Sequence, residues 1–223
     1  MNARDMFDLT GKTALITGAG GLLGPKHAEA IIEFGGNVVL TDHHRDRVEP
    51  KAKQLNEKYG RECATFYHMD VTDPKSVQAV VHMCGKIDIL INNAAKDPKV
   101  KKGGGLTPDS RFDQRLYRKQ GLSEEQQNVK PITYSAAKWA IVGMTKYLAV
   151  YFAQRGIRVN SISPTAVYND HPEDFVEKLT NIIPMKRMSH IDEYKGVIAF
   201  MCSDASTYMT GENVVIDGGK SVW

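Results

Sequence analysis

Short apolar runs alternate with longer amphipathic stretches from Lys12 to Ile91. The runs at residues 12–17, 37–41, 63–69 and 87–91 have the length and flanks of buried strands. Between them the apolar positions recur at helical spacing. Ala28, Ile31, Ile32 and Phe34 form one apolar face, which Gly35-Gly36 ends. A polar helix is expected over residues 45–59, and Asp73-Pro74 opens another. This strand–helix alternation predicts an α/β fold, a doubly wound parallel sheet with helices on both faces.

The rhythm breaks at residues 96–131, which hold no convincing strand or long helix. Gly103-Gly104-Gly105, Thr107-Pro108 and Gln126-Gln127-Asn128 read as loop. A structureless stretch of this length inside a compact domain counts against the assignment or marks a functional loop. Regularity returns with a helix at 134–155 and a strand at 158–162, and a mobile-looking segment follows at 164–184. A helix carrying Val197, Ile198, Phe200 and Met201 follows, and a strand with its turn closes the chain at 213–219. No repeat or interdomain linker is visible, so one domain is expected over residues 1–223.

Three features point to chemistry. Gly18, Gly21 and Gly24, with Leu22 and Leu23 between them, follow the first strand and open the first helix. Such a turn aims backbone N–H groups and a helix N-terminus at a pyrophosphate. Asp42 ends the second strand, where a carboxylate accepts from both ribose hydroxyls and repels a 2′-phosphate; that favours NAD over NADP, although Arg45 and Arg47 lie close by. Asp70 ends the third strand, placed either to accept from an adenine amino group or to cap a turn. Tyr134 and Lys138 stand four apart, on one face of a helix. A positive charge beside a phenol favours its ionised form, which suits the phenol to exchange a proton with an alcohol or carbonyl oxygen.

In this order the motifs resemble the short-chain dehydrogenase/reductase family over nearly the whole chain except residues 96–131. The carriers are 17–24, Asp70-Val71, the run 88–95 ending Asn92-Asn93-Ala94-Ala95, Tyr134-Ser135-Ala136-Ala137-Lys138, residues 158–164 and the ending 210–219. The resemblance implies a Rossmann-fold oxidoreductase using NAD, less readily NADP. It implies that Tyr134 is the general acid/base and that Lys138 tunes it and holds the nicotinamide ribose. Gly18, Gly21, Leu22, Leu23, Gly24, Asp42, Asp70 and Val71 would bind the cofactor. Asn93 and Ala94 would line the adenosine ribose, and Pro164 and Val167 the nicotinamide end. Residues 166–184 resemble the family's substrate lid. Trp139, Val142, Thr145 and Leu148 would belong to the core or to a dimer helix.

The chain departs from the family at four places. Leu22 stands where glycine is commonest, Asn93-Ala94-Ala95 ends in alanine, and Thr165 follows Pro164. The largest departure is the catalytic serine. Ser110 and Ser123 are the only serines between Ala95 and Tyr134, and neither follows an apolar strand. The helix carrying the family's active-site asparagine is missing too. One helix–strand unit, on the order of 30–45 residues, is expected to be absent, with its junction near Phe112-Asp113. It is either left out of the sequence as written or deleted from the protein. A deletion would leave the fourth strand, the Tyr134 helix and the strand at 158–162 as one βαβ crossover.

Composition narrows the picture little. A net charge of +3 argues for neither nucleic acid nor an anionic membrane. Cys63, Cys84 and Cys202 form no paired motif, which fits free thiols in a reducing cytoplasm and offers no metal site. The expected partner is a small alcohol or ketone. Asp170, His171, Glu173 and Asp174 in the lid favour a hydrophilic, sugar-like substrate. The run of motifs also resembles family members of flagellin-modification and surface-glycan pathways. A homodimer or homotetramer is expected. The rival reading is a nucleotide-binding protein whose catalysis is impaired because the serine-bearing segment is missing.

Overall fold

The computed structural model describes residues 2–95, 101–102, 121, 128–129 and 132–223. Within them the chain forms two compact units, Met1–Ala95 with Ile191–Thr207, and Lys96–His190 with Tyr208–Trp223.

The first unit holds β1 (Thr13–Thr17), α1 (Gly24–Glu33), β2 (Asn37–Asp42), α2 (Arg45–Tyr59), β3 (Ala64–His68), α3 (Pro74–Cys84) and β4 (Ile89–Ile91). Its four strands are all parallel, in the order β3-β2-β1-β4. That order is the first half of a Rossmann sheet. Leu15 and Val39 pack on one face with Met69, Val80 and Val77, so α3 covers that side. Their neighbours Ala14, Ile16, Val38 and Leu40 point to the opposite face and are equally buried. A sheet buried on both faces explains why these strands read as continuous apolar runs. Asp73 caps α3 by accepting from the Lys75 amide at 3.0 Å. Phe34, read as part of the apolar face of α1, lies just past its end and is partly exposed.

The second unit holds the two-residue antiparallel pair β5 (Lys101–Lys102) and β6 (Asn128–Val129). It continues with α4 (Ile132–Ala153), β7 (Ser161–Pro164), α5 (Glu173–Asn181) and, after the excursion into the first unit, β8 (Asn213–Ile216). In that excursion α6 (Lys195–Cys202) packs against α1. β7 pairs parallel with β8.

One expectation changes here. The strand read at 158–162 is displaced to Ser161–Pro164. Arg158, Val159 and Asn160 instead clasp Met209 and Thr210 by hydrogen bonds of 3.0–3.4 Å. Among the described residues β4 pairs only with β1 and β7 only with β8. The segment 164–184, read as mobile-looking, contains regular structure. It carries α5, whose Leu179 is buried with Ile183 and Met188 against Phe175, Val176 and Ile182. Ser110, Ser123 and the junction near Phe112-Asp113 lie outside the described residues.

Candidate active site

The glycine turn follows from backbone proximity. Gly18 has φ +62°, and a Cβ there would stand 2.6 Å from the Ala94 Cα. A Cβ on Gly24 would stand 2.5 Å from the Ala19 Cα. Both positions exclude any side chain. Gly21 is held by its N–H donating to the Gly18 carbonyl at 3.1 Å. Gly20, overlooked in the sequence, is constrained as well. A Cβ there would meet Arg47 Cβ at 2.8 Å and Asp42 Oδ2 at 2.9 Å. Beyond the turn, α1 starts with Pro25 in its first turn and no side-chain cap at Leu23. Its N-terminal amides therefore keep their positive field for an anion. That arrangement fits a dinucleotide pyrophosphate.

The ends of β1 and β4 are laced together through Thr17, a residue the sequence reading passed over. Its Oγ accepts from the amides of Asn93 at 3.1 Å and Ala94 at 2.9 Å. The Asn93 side chain donates back to the carbonyls of Thr17 and Gly18 at 3.1 and 3.0 Å. Asn93 and Ala94 thus fix the floor of the glycine turn. A threonine closing a strand directly before a glycine turn was the available signal.

Asp42 is buried at the end of β2. It does not cap α2, whose N-cap is His44. Its carboxylate accepts from Gly20 N–H at 3.0 Å and His44 N–H at 2.9 Å, and His43 Nδ1 lies 3.2 Å away. The β2–α2 turn and the glycine turn therefore share one carboxylate. Asp70 organises a second turn. It accepts from the Thr72 hydroxyl at 2.7 Å and amide at 2.8 Å. Those two bonds hold its carboxyl below the usual range, with a smaller pull from His43 and His68. Val71, beside it, is exposed.

In the second unit Tyr134 and Lys138 lie one turn apart on α4, as their spacing required. Lys138 Nζ stands 5.6 Å from the centroid of the Tyr134 ring, with the tyrosine half-buried and the lysine exposed. Of the apolar positions on this helix, Thr145 is buried and Val142 and Leu148 are half-buried. Trp139 is 76% exposed, so it joins no core among the described residues. Pro164 ends β7, and Val167 bridges to Ser189. Ala166 and Asp170 have φ of +55° and +47°, the left-handed region that non-glycine residues seldom enter. The acidic Glu173 and Asp174 occupy the first turn of α5, where its dipole favours negative charge. Much of the polarity of segment 166–184 thus has a local structural cause. Among the described residues no cluster of His, Cys, Asp or Glu could hold a metal, and no helix is long and apolar enough to cross a membrane.

Comparison with known proteins decides what this frame is. The short chain dehydrogenase family profile matches residues 12–115, and the enoyl-(acyl carrier protein) reductase profile matches residues 121–221. The chain is 34% identical to the oxidoreductase UcpA of Salmonella typhimurium, over 97% of each protein. It belongs to the short-chain dehydrogenase family. Sorbose reductase of Candida albicans is 30% identical over 98% of this chain and 90% of its own. A short-chain dehydrogenase/reductase crystal structure from Mycobacterium marinum superposes with a TM-score of 0.79 at 29% identity, covering 99% of both chains. This short-chain dehydrogenase is therefore an oxidoreductase with an α/β Rossmann fold, and its family uses a nicotinamide cofactor. Its alignment with UcpA runs over 258 residues, against 223 in the chain. At least 35 aligned positions of the relative, the difference of those two lengths, have no counterpart here.

Proposed function

We propose that this short-chain dehydrogenase interconverts a secondary alcohol and a ketone with NAD, and that Tyr134 exchanges the proton. The observation that carries the reading is the Tyr134–Lys138 pair, one helical turn apart with the ammonium 5.6 Å from the ring centroid. The cofactor, when bound, accepts or supplies the hydride. Gly18, Gly21, Leu22, Leu23 and Gly24 receive its pyrophosphate at the uncapped start of α1. Asp42 accepts from the ribose hydroxyls, and Asp70 and Val71 border the adenine. Asn93 and Ala94 line the adenosine ribose, and Pro164 and Val167 border the nicotinamide end. Tyr134 donates its hydroxyl proton to the substrate oxygen in reduction and takes it back in oxidation, while Lys138 holds positive charge beside the developing phenolate.

The polar residues Asp170 and His171, together with the likeness to sorbose reductase, support a hydrophilic, sugar-like substrate. A surface-glycan setting would present the same chemistry. The exposed apolar residues Trp139, Met144, Tyr147 and Val150 on α4 support a dimer or tetramer. The free thiols Cys63, Cys84 and Cys202 suit the cytoplasm.

NADH oxidation over a panel of polyhydroxy ketones tests the reading. Tyr134→Phe is expected to lower kcat by about 10²–10⁴ and to leave the Kd for NADH, read by fluorescence, unchanged. An unchanged kcat overturns the assignment of Tyr134.

The positions missing relative to UcpA favour a second reading, a dinucleotide-binding protein with impaired catalysis. Loss of one donor to the reacting oxygen costs about 10²–10³ in rate. An intact mass of 24.8 kDa with background turnover and a normal NADH Kd would establish it. A mass several kilodaltons higher, with turnover, would return the protein to the first reading.

A further inference from the structure

Residues 166–184, which resemble a substrate lid, are tied down twice within the second unit. At the base the tie is backbone. Ser189 N–H donates to the Ala166 carbonyl at 2.9 Å and Tyr168 N–H to the Ser189 carbonyl at 3.0 Å, around the bridge between Val167 and Ser189. These bonds stitch the entry of the segment to its exit. The loop beyond the stitch carries α5.

The second tie lies just past the end of α5. Residues 183–186 form a tight turn, closed by the Lys186 N–H donating to the Ile183 carbonyl at 2.9 Å. This turn lies against residues 217–219. Met185 N–H donates to the Gly218 carbonyl at 3.2 Å, and a Cβ on Gly218 would stand 2.8 Å from Ile183 Cγ2. Asp217 shapes the adjoining turn, accepting from the amides of Gly219 at 2.9 Å and Ser221 at 2.6 Å. Lys186 has φ +55°, a left-handed backbone that a lysine keeps only where its surroundings hold it. Two side-chain contacts do so. Its Nζ donates to the carbonyl of Asn181, the last residue of α5, at 3.0 Å, and stands 4.8 Å from the Trp223 ring centroid. Lys186 and Trp223 are both exposed, so this contact opens without uncovering a core.

We propose that Lys186 and Trp223 form a latch on the exit hinge of segment 166–184, and that releasing it weakens capture of the substrate while cofactor binding is untouched. Closed, the latch fixes the end of α5 and the turn 183–186 against residues 217–219. Open, Lys186 loses the support for its left-handed backbone, and the turn swings about the Ser189 stitch. Lys186 and Trp223 are thus positioning residues. The proposal rests on the reading of residues 166–184 as a substrate lid.

Hydrogen exchange on the full chain, read by mass spectrometry, tests the latch in the parent, Lys186→Met, Trp223→Leu and the double variant. The Met185 and Lys186 amides are expected to exchange about two- to fivefold faster in Trp223→Leu, the factor that one exposed cation–π contact supplies. In Lys186→Met, which also loses the bond to Asn181, the increase is expected to be at least as large. The double variant is expected to match Lys186→Met, because the two residues share one contact. The Tyr168 and Ser189 amides of the stitch are expected to keep their parent rates, and Lys186→Arg, which keeps the charge, to behave as the parent. Unchanged exchange in both single variants overturns the latch. So does a double variant that adds the full Trp223→Leu effect to that of Lys186→Met. With a polyhydroxy ketone that the parent reduces, KM is expected to rise about two- to fivefold in Trp223→Leu, at unchanged kcat and unchanged Kd for NADH. Faster exchange with an unchanged KM overturns the role in substrate capture and the lid reading with it. Normal NADH binding by a parent that reduces no ketone of the panel overturns the reaction proposed above, and substrate capture with it.

Discussion

His27 sits in the first turns of α1, 3% exposed, and among the described residues its Nδ1 has no hydrogen-bond partner. Burial pushes its pKa from 6.5 down to about 4. Between those values the unfolded chain holds a proton that the folded chain does not, so stability falls as pH falls. The stability is fully present above pH 6.5 and is lost as the pH approaches 4. The shift of about 2.5 units corresponds to about 3 kcal/mol in all, of which about 2 kcal/mol is gone by pH 5. Against a total of about 5–15 kcal/mol this is a large share. The interval from pH 7.5 to 5 separates it from the carboxylates, whose reference values are 3.8 and 4.5. Urea unfolding of the cofactor-free protein across that interval is the assay. The midpoint should fall by about 1 M in the parent, for a slope near 2 kcal/mol/M. In His27→Leu the midpoint should stay level. Because an unpaired buried nitrogen is removed, the variant should also be at least as stable as the parent at pH 7.5. Equal losses in the two proteins would refute the reasoning.

Two further outcomes follow from the first unit. Gly18→Ala should lose dinucleotide binding and about 2 kcal/mol of stability, since φ +62° and the Ala94 backbone at 2.6 Å both oppose a side chain; calorimetry with NAD and a thermal melt check this, and a variant that binds normally would refute it. Glu29, on α1, is 3.0 to 3.3 Å from Lys26, Lys58 and Lys195. Burial alone would raise its carboxyl, but the three lysines together lower it. Glu29→Gln should cost about 1–3 kcal/mol at pH 7, seen as a lower urea midpoint, and an unchanged midpoint would sink the claim.

The first unit was largely legible because its signals are local. Strands buried on both faces read as apolar runs, and Asp73 and Pro74 mark the start of α3; in the second unit Tyr134 and Lys138 share a helix face by spacing alone. What escaped depends on contacts distant in sequence. Arg158 and Asn160 look like strand, but Met209 recruits both through its carbonyl. Trp139 fits an apolar stripe, yet it stays exposed among the described residues. Thr17 gains its role only once β4 lies beside β1. The acidic start of α5 resembled a substrate-facing surface until the helix dipole accounted for it. Glu29 reads as an ordinary surface residue until α2 and α6 deliver lysines to it.

The return of α6 to the first unit sets an order of events during synthesis. Glu29 and Glu33 on α1 pair with Lys195, which emerges from the ribosome only after residues 96–190 have been made. At bacterial or eukaryotic elongation speeds that delay is on the order of 5–20 s. For that interval one flank of α1 waits uncovered, so the first unit can complete its fold only after most of the second has been synthesised.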